Sequence, residues 1–425
     1  MASQVAYFDR LRLKNVRCFR DAEIPLDRRV TVIVGGNASG KTTLMEALAS
    51  LAHGDEEGLS SFPLRSGTTR GEIALYENGK RSPAAKWESR QPLRHRLPPD
   101  QFAFMYGRYR RVLLPDSPEE ARNLTDAQYL DELANHAAQS RTLTLSRPDN
   151  RLLQDLPGYL RGLNLGRASD PRLEKMWSQL NAALPQMDSS LSGIRMDPGT
   201  YHLIPRIIRN GVALEIAELS DGYQAMLVIV LDLMLRYAYL FFEGNPLEGS
   251  ALVGIDEIDL HLHPRWQRTV LPQLTALFPK TQFILTTHSP IVVQAAIDQK
   301  FTVLRLAERD GEVTAQKVSH GLMKRLRGAD IGSLLFENHL FGVDSRFSVE
   351  YARIEERMEE LQALVAGGTA TKADYQELRD GLDKFEELVA MEDRRRADGS
   401  TMSQMVRMQV AFVKALTDEL EKARA

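Results

Sequence analysis

Gly35-Gly36-Asn37-Ala38-Ser39-Gly40-Lys41-Thr42-Thr43 brings glycines, a lysine and hydroxyls together straight after the apolar run Thr31-Val32-Ile33-Val34. Its G-x-x-x-x-G-K-[ST] spacing is that of a loop whose backbone N–H groups and following helix N-terminus meet phosphate oxygens. Lys41 would reach the β and γ phosphates of ATP, and the Thr42 hydroxyl would complete a Mg²⁺ shell made mostly of oxygens and water. Gly35 through Thr43 are therefore the candidate nucleotide-binding residues.

A second group suits the same chemistry. Leu252-Val253-Gly254-Ile255-Asp256-Glu257 is an apolar run ending in two carboxylates. Asp256 is placed to hold Mg²⁺ beside Thr42. Glu257 is placed to orient and deprotonate the attacking water. Thr286-Thr287-His288-Ser289-Pro290 follows the next apolar run, so His288 lies beyond a strand's carboxyl end, where it could bond the γ phosphate and sense its loss. Glu257, His288 and Lys41 form the expected catalytic set. His261 and His263 share a face, but no Cys or further His lies near them in sequence, so they are not read as a metal pair.

The elements around these residues read as an α/β pattern. Residues 4–13, 22–26, 30–34, 71–75, 101–106, 202–208, 212–216, 251–255 and 283–285 have strand character, and Asn78-Gly79 and Asn210-Gly211 mark tight hairpins. The stretch 81–99, rich in Arg and Pro, reads as loop. Residues 117–139 and 170–184 read as helices within an insertion of about 112–200, and 225–242 as a core helix despite Asp232 and Arg236. Charged amphipathic helices over 350–365 and 372–390, joined at Ala366-Gly367-Gly368-Thr369, suggest an antiparallel hairpin, and 402–422 a last helix.

Composition sets outer bounds. The 425 residues, 43% of them apolar, suffice for two or three domains. A lone Cys18 excludes an internal disulfide and fits a reducing compartment. With no secretory pattern in residues 1–13 and no long uncharged apolar run, a cytoplasmic protein without a membrane segment is expected. A net charge of −3 offers no global attraction to nucleic acid, so any DNA contact must come from a local patch. Tyr106-Gly107-Arg108-Tyr109-Arg110-Arg111, which interleaves aromatic rings and guanidiniums, is one candidate, for DNA or for nucleotide.

Leu219-Ser220-Asp221-Gly222-Tyr223-Gln224 resembles the ABC-type signature Leu-Ser-Gly-Gly-Gln, with Asp221 at the first glycine and Tyr223 inserted before the glutamine. Together with the phosphate loop, Ile255-Asp256-Glu257-Ile258-Asp259-Leu260-His261-Leu262-His263-Pro264 and Thr286-Thr287-His288-Ser289-Pro290, it resembles the SMC/RecF-like AAA ATPases. That group includes the PtuA ATPase of Septu anti-phage systems, the nearest in character, and the ATPase part of OLD nucleases. The resemblance covers roughly residues 5–320.

It implies an ABC/SMC-like P-loop NTPase head over 1–320 and an α-helical C-terminal region over 321–425. It further implies ATP and Mg²⁺ as cofactors and a homodimer or higher homo-oligomer formed through ATP, in which Ser220 and Gly222 act in trans. Asn15-Val16-Arg17 matches a family segment whose arginine approaches the phosphates, which adds Arg17. The glutamine loop falls nearest Gln101. OLD-type relatives carry a C-terminal nuclease with an Asp-x-Asp element. Residues 318–425 have none, so no nuclease centre is expected there.

The expected function is an ATPase that regulates a separate HNH nuclease in anti-phage defence. The alternative is a RecF-like DNA-repair or DNA-binding ATPase without such a partner, and DNA stays open as a ligand. A transporter motor is disfavoured, because Ile258 stands where those motors usually place proline.

Overall fold

The computed structural model describes residues 7–53, 63–88, 102–108, 142–143, 151–199, 203–241, 245–309, 311–329, 331–335, 340–341, 357, 360, 361, 363, 364, 367 and 369–395. The chain divides into two compact units, Met1–Gly342 and Val343–Ala425.

The first unit is organised by one large sheet. Its strands are β3 (Val30–Gly35), β6 (Ala103–Tyr106), β7 (Thr142–Leu143), β11 (Leu252–Ile255), β12 (Gln282–Thr286), β13 (Thr302–Arg309) and β14 (Glu312–Lys317). They lie in the order β14-β13-β3-β12-β11-β6-β7, parallel throughout except for the β13–β14 hairpin. Every residue of β6, β11 and β12 is buried, as a parallel sheet covered on both faces requires. In register, Ile33 pairs Thr286, and Ile255 pairs both Leu285 and Tyr106. The carboxyl ends of β3, β11 and β12 therefore line one edge, where open α/β sheets collect their ligands.

One face is covered by α1 (Lys41–His53), which packs Leu44, Met45 and Leu48 into a core shared with a four-stranded antiparallel sheet. That sheet runs β2-β1-β4-β5, with β1 Phe8–Val16, β2 Phe19–Pro25, β4 Arg70–Glu77 and β5 Lys80–Glu88. β5 corrects the loop expected from residue 81 onward. It pairs with β4 as an edge strand, a position that tolerates Pro83 because the unpaired side needs no N–H donor. Asn78 and Gly79 take φ of +51° and +73° in the turn, as a type I′ hairpin demands.

The other face is covered by α2 (Arg151–Gly166), α3 (Pro171–Met187), α4 (Asp221–Leu240), α5 (Pro264–Leu277) and α6 (Pro290–Asp298). The insertion is not helical to its end: β8 (Leu191–Pro198) joins β9 (Leu203–Arg209) and β10 (Val212–Glu215) in a small antiparallel sheet. Residues 117–139 and 402–422, read as helices, lie outside the described residues, as does Gln101. Short α7 (His320–Leu326) and α8 (Ile331–Leu335) add Leu322, Met323, Leu326 and Leu334 to the same core. The first unit thus runs on to Gly342.

In the second unit, residues 357, 360, 361, 363 and 364 are helical and α9 spans Lys372–Arg395. Arg357 grips Glu377 through Nε at 3.0 Å and Nη2 at 3.1 Å, and Thr371 and Asp374 cap α9 reciprocally. Among the described residues no helix is long and apolar enough to cross a membrane.

Asp232 and Arg236, the charges inside the apolar stretch, neutralise one another one turn apart in α4, with Arg236 Nε 2.7 Å from Asp232 Oδ2 and both side chains 2% exposed. Tyr106 donates to the same carboxylate at 2.5 Å, and Phe104 lies under the guanidinium at 5.1 Å. Tyr106 is fully buried and cannot stack on a base or nucleotide, which corrects that part of the aromatic-basic reading. Arg108 is exposed, and residues 109–111 lie outside the described residues. Substituting Arg236→Met should lower unfolding free energy by about 3–5 kcal/mol, because Asp232 is left buried without its counter-ion. Denaturant unfolding checks this, and a loss below about 1 kcal/mol would contradict it.

Candidate phosphate-binding site

The phosphate loop joins β3 to α1 through conformations few residues tolerate. Gly40 takes φ +92° and lies against Cys18 and Phe19, where a Cβ would come within 2.8 Å of each. A Cβ on Gly35 would approach Leu306 O at 2.7 Å, so the loop runs flush against β13. Lys41 turns back into its own loop, donating to Gly35 O at 2.9 Å and Gly36 O at 2.8 Å. Burial pulls its ammonium below lysine's ordinary pKa, while Asp256, Glu257 and Asp259 pull the other way. Ser39 Oγ is buried without a hydrogen-bond partner, a polar atom the loop itself leaves unused.

The sheet edge delivers the acids. Asp256 stands immediately after β11, and its two oxygens accept from Thr42 Oγ1 at 3.1 Å and Thr286 Oγ1 at 2.5 Å. Thr286 Oγ1 in turn accepts from the Glu257 N–H at 2.7 Å. Glu257 takes φ +49°, a left-handed conformation costly for a non-glycine residue and typical of sites where a side chain must be aimed. Asp259 Oδ1 accepts from Thr287 Oγ1 at 2.5 Å and the His288 N–H at 3.3 Å. The phosphate loop, Asp256, Glu257 and the His288 loop are thereby joined in one bonded chain.

Thr286 and Asp259 hold that chain together and were not singled out from the sequence. Thr286 looks like the last residue of an apolar strand, and only parallel pairing with β11 sets its hydroxyl against Asp256. Asp259 carried the weaker signal of a third acid within four residues of Asp256.

Arg17 lies at the β1–β2 turn with φ +43°, ion-paired to Glu46 of α1 and 3.5 Å from Thr43 Oγ1. It thus stands beside the phosphate loop and is already engaged by Glu46. Cys18 is half-buried next to it, its thiol pKa raised by burial.

Ser220 and Gly222 belong to a different neighbourhood. Ser220 is the exposed N-cap residue of α4, its hydroxyl making no capping bond. Gly222 packs on the segment after the acids, where an added Cβ would meet His261 O at 2.5 Å. Gln224 is spent internally, donating to Ala217 O at 3.1 Å and Leu219 O at 2.7 Å. His263 Nδ1 accepts from the Arg265 N–H as a helix cap, and among the described residues no group of three or more His, Cys, Asp or Glu could hold a metal by itself.

The geometry can do the following. A loop with a buried ammonium offers the charge and N–H groups that suit polyphosphate. A carboxylate and a hydroxyl at bonding distance supply hard oxygens of the kind Mg²⁺ takes beside phosphate and water. A glutamate at φ +49° stands one residue further on.

A family model described as "AAA domain, putative AbiEii toxin, Type IV TA system" matches residues 30–294. A stretch of 106 residues is 42% identical to the Retron Vc95 probable ATPase of Vibrio cholerae, covering 25% of this chain and 21% of that protein. Another of 175 residues is 30% identical to the Septu protein PtuA of Bacillus mycoides, covering 41% of this chain and 23% of that protein. The matches thus span less than a quarter of either relative's length. The SMC head bound to the C-winged helix domain of ScpA aligns over 74% of this chain and 99% of its own, at 18% identity and a TM-score of 0.44.

Proposed function

Because the chain belongs to the AAA-domain family described as putative AbiEii toxin, Type IV TA system, we propose that it binds and hydrolyses ATP as an SMC-like, ABC-type ATPase of anti-phage defence. The observation that carries the reading is the chain Thr42–Asp256–Thr286–Glu257, which joins the phosphate loop to the acids at one sheet edge.

Lys41 would exchange its bonds to Gly35 O and Gly36 O for β and γ phosphate oxygens, a better partner for a desolvated ammonium. Loop N–H groups and the α1 N-terminus would hold the remaining phosphate charge. Thr42 and Asp256 would hold Mg²⁺, which when bound neutralises charge developing on the phosphates. Glu257 would take the proton of the attacking water, and His288, set by Asp259, would bond the γ phosphate. Arg17 would leave Glu46 to reach the same charge.

Exposed Ser220 and the Gly222 N-terminal turn would meet the γ phosphate held by a second copy, so that ATP joins a homodimer or larger homo-oligomer. The regulated partner would be a separate HNH-type nuclease docked on the helical C-terminal unit, in the cytoplasm. The resemblance to Septu-type ATPases supports this assignment.

Two measurements test the reading. Light scattering should show the mass rising from the 47.9 kDa monomer to a dimer or larger oligomer with ATP and Mg²⁺, alongside phosphate release. Purification of the native complex should recover an HNH protein. A monomer that releases no phosphate would refute the ATPase reading, while duplex DNA recovered without a protein partner would favour the RecF-like alternative.

A further inference from the structure

Tyr223, the residue inserted into the signature, is partly buried and held by contacts within its own chain. Its hydroxyl donates to Asp188 Oδ2 at 3.0 Å, and Trp266 Nε1 donates to the same oxygen at 2.8 Å. The two rings meet edge to face, centroids 4.3 Å apart at 68°. Asp188 Oδ1 accepts from the Ser190 N–H at 2.7 Å, which fixes the carboxylate to the start of β8. Arg209, at the tip of the β9–β10 hairpin, stands over the Tyr223 ring at 4.4 Å, and the Asn210 N–H bonds Ser190 O at 2.8 Å.

Three parts of the chain therefore converge on one carboxylate. Tyr223 opens the signature helix α4. Trp266 lies in the first turn of α5, directly after the Leu260–Pro264 stretch that follows the catalytic acids. Asp188 directly follows the insertion helix α3, whose last carbonyls are held from α5 by Gln273 Nε2, at 2.6 Å to Met187 O and 3.1 Å to Gln186 O. Gly222 and His261 touch through backbone, so the signature and the post-acid segment are joined twice, once by contact and once through Asp188.

Resting on the ATP-dimer reading, we propose that Asp188 is a positioning residue that locks the signature and the post-acid segment into one rigid block, making the trans-acting surface an output of the insertion. The carboxylate is suited to the task. Burial alone would raise its pKa, but bonds from Ser190, Trp266 and Tyr223 outweigh that and hold it below the usual carboxylate range. An acceptor-only group can serve three donors on two sides, whereas an amide presents its own N–H₂ to one of them.

The test uses the full chain with Asp188→Asn, and Tyr223→Phe as a milder variant that keeps the ring. Hydrogen exchange in Asp188→Asn should quicken by about tenfold in residues 221–226 and 258–266 together, the size a lost coupling of ordinary strength gives. The protein concentration for half-maximal ATP hydrolysis should rise by about the same factor, while ATP affinity of the monomer stays within about twofold. Tyr223→Phe should show a smaller version of both changes and add little in the Asp188→Asn background. Faster exchange in one segment alone, equal quickening of the central sheet, or loss of monomer ATP binding in parallel would overturn the proposal. If Asp188→Asn does not fold, Tyr223→Phe decides by the same criteria. A wild-type chain that never assembles with ATP refutes the dimer reading and leaves the exchange result to judge the block.

Discussion

Substituting Glu257→Gln is expected to lower ATP turnover by about 10²- to 10⁴-fold, the range lost with a general base, while ATP remains bound. Glutamine keeps the volume and one carbonyl acceptor, so the left-handed turn at φ +49° and the N–H bond to Thr286 need not change. What disappears is a group able to accept a proton from water. On the proposed reading, in which ATP joins two copies, the variant should accumulate as an ATP-bound dimer at nucleotide concentrations where the wild type cycles. Single-turnover phosphate release and light scattering read the two effects separately. Turnover within threefold of wild type would remove Glu257 from the base role and shift attention to His288.

Substituting Lys41→Ala is expected to act one step earlier. The lost ammonium should weaken ATP binding by roughly tenfold to hundredfold, the worth of a charged hydrogen bond. It should lower kcat by a further 10²- to 10³-fold or so, the loss typical of a donor aimed at transition-state charge. Lys41 also bridges two carbonyls of its own loop, so part of the effect would come from a loop that is no longer pre-shaped. The contrast with Glu257→Gln is diagnostic. Titration of a fluorescent ATP analogue should show binding retained in the glutamine variant and weakened in the alanine variant, and only the former should yield a trapped dimer. Equal affinity for the analogue in both would mean that Lys41 does not contact the phosphates.

Much of the frame was legible in sequence because its signals are local. A β-branched run into glycines and Lys41 marks strand, loop and helix together. Asn78-Gly79 and Asn210-Gly211 mark hairpins because those residues accept positive φ. The long apolar stretch over α4 reads as a core helix even with two charges, since charges four residues apart share a face and can pair. Less legible were β5, whose Arg-Pro composition hides an edge strand, and the β13–β14 hairpin, which was not read from the sequence.

The sequence by itself determined the chemistry on offer: a phosphate loop with its lysine and threonine, two carboxylates after a buried strand, and a histidine after the next. Tertiary structure alone decided which groups hold these in place. Thr286 meets Asp256 because β12 lies beside β11 in one particular register. Asp259 meets Thr287 because two loops leave the same sheet edge. Asp188 meets Tyr223 and Trp266 because three helices and a hairpin converge there. The physical reason is one of range. Conformational preference acts over a few neighbouring residues, whereas a hydrogen bond between side chains 30 or 78 positions apart depends on pairing and packing that no local window contains.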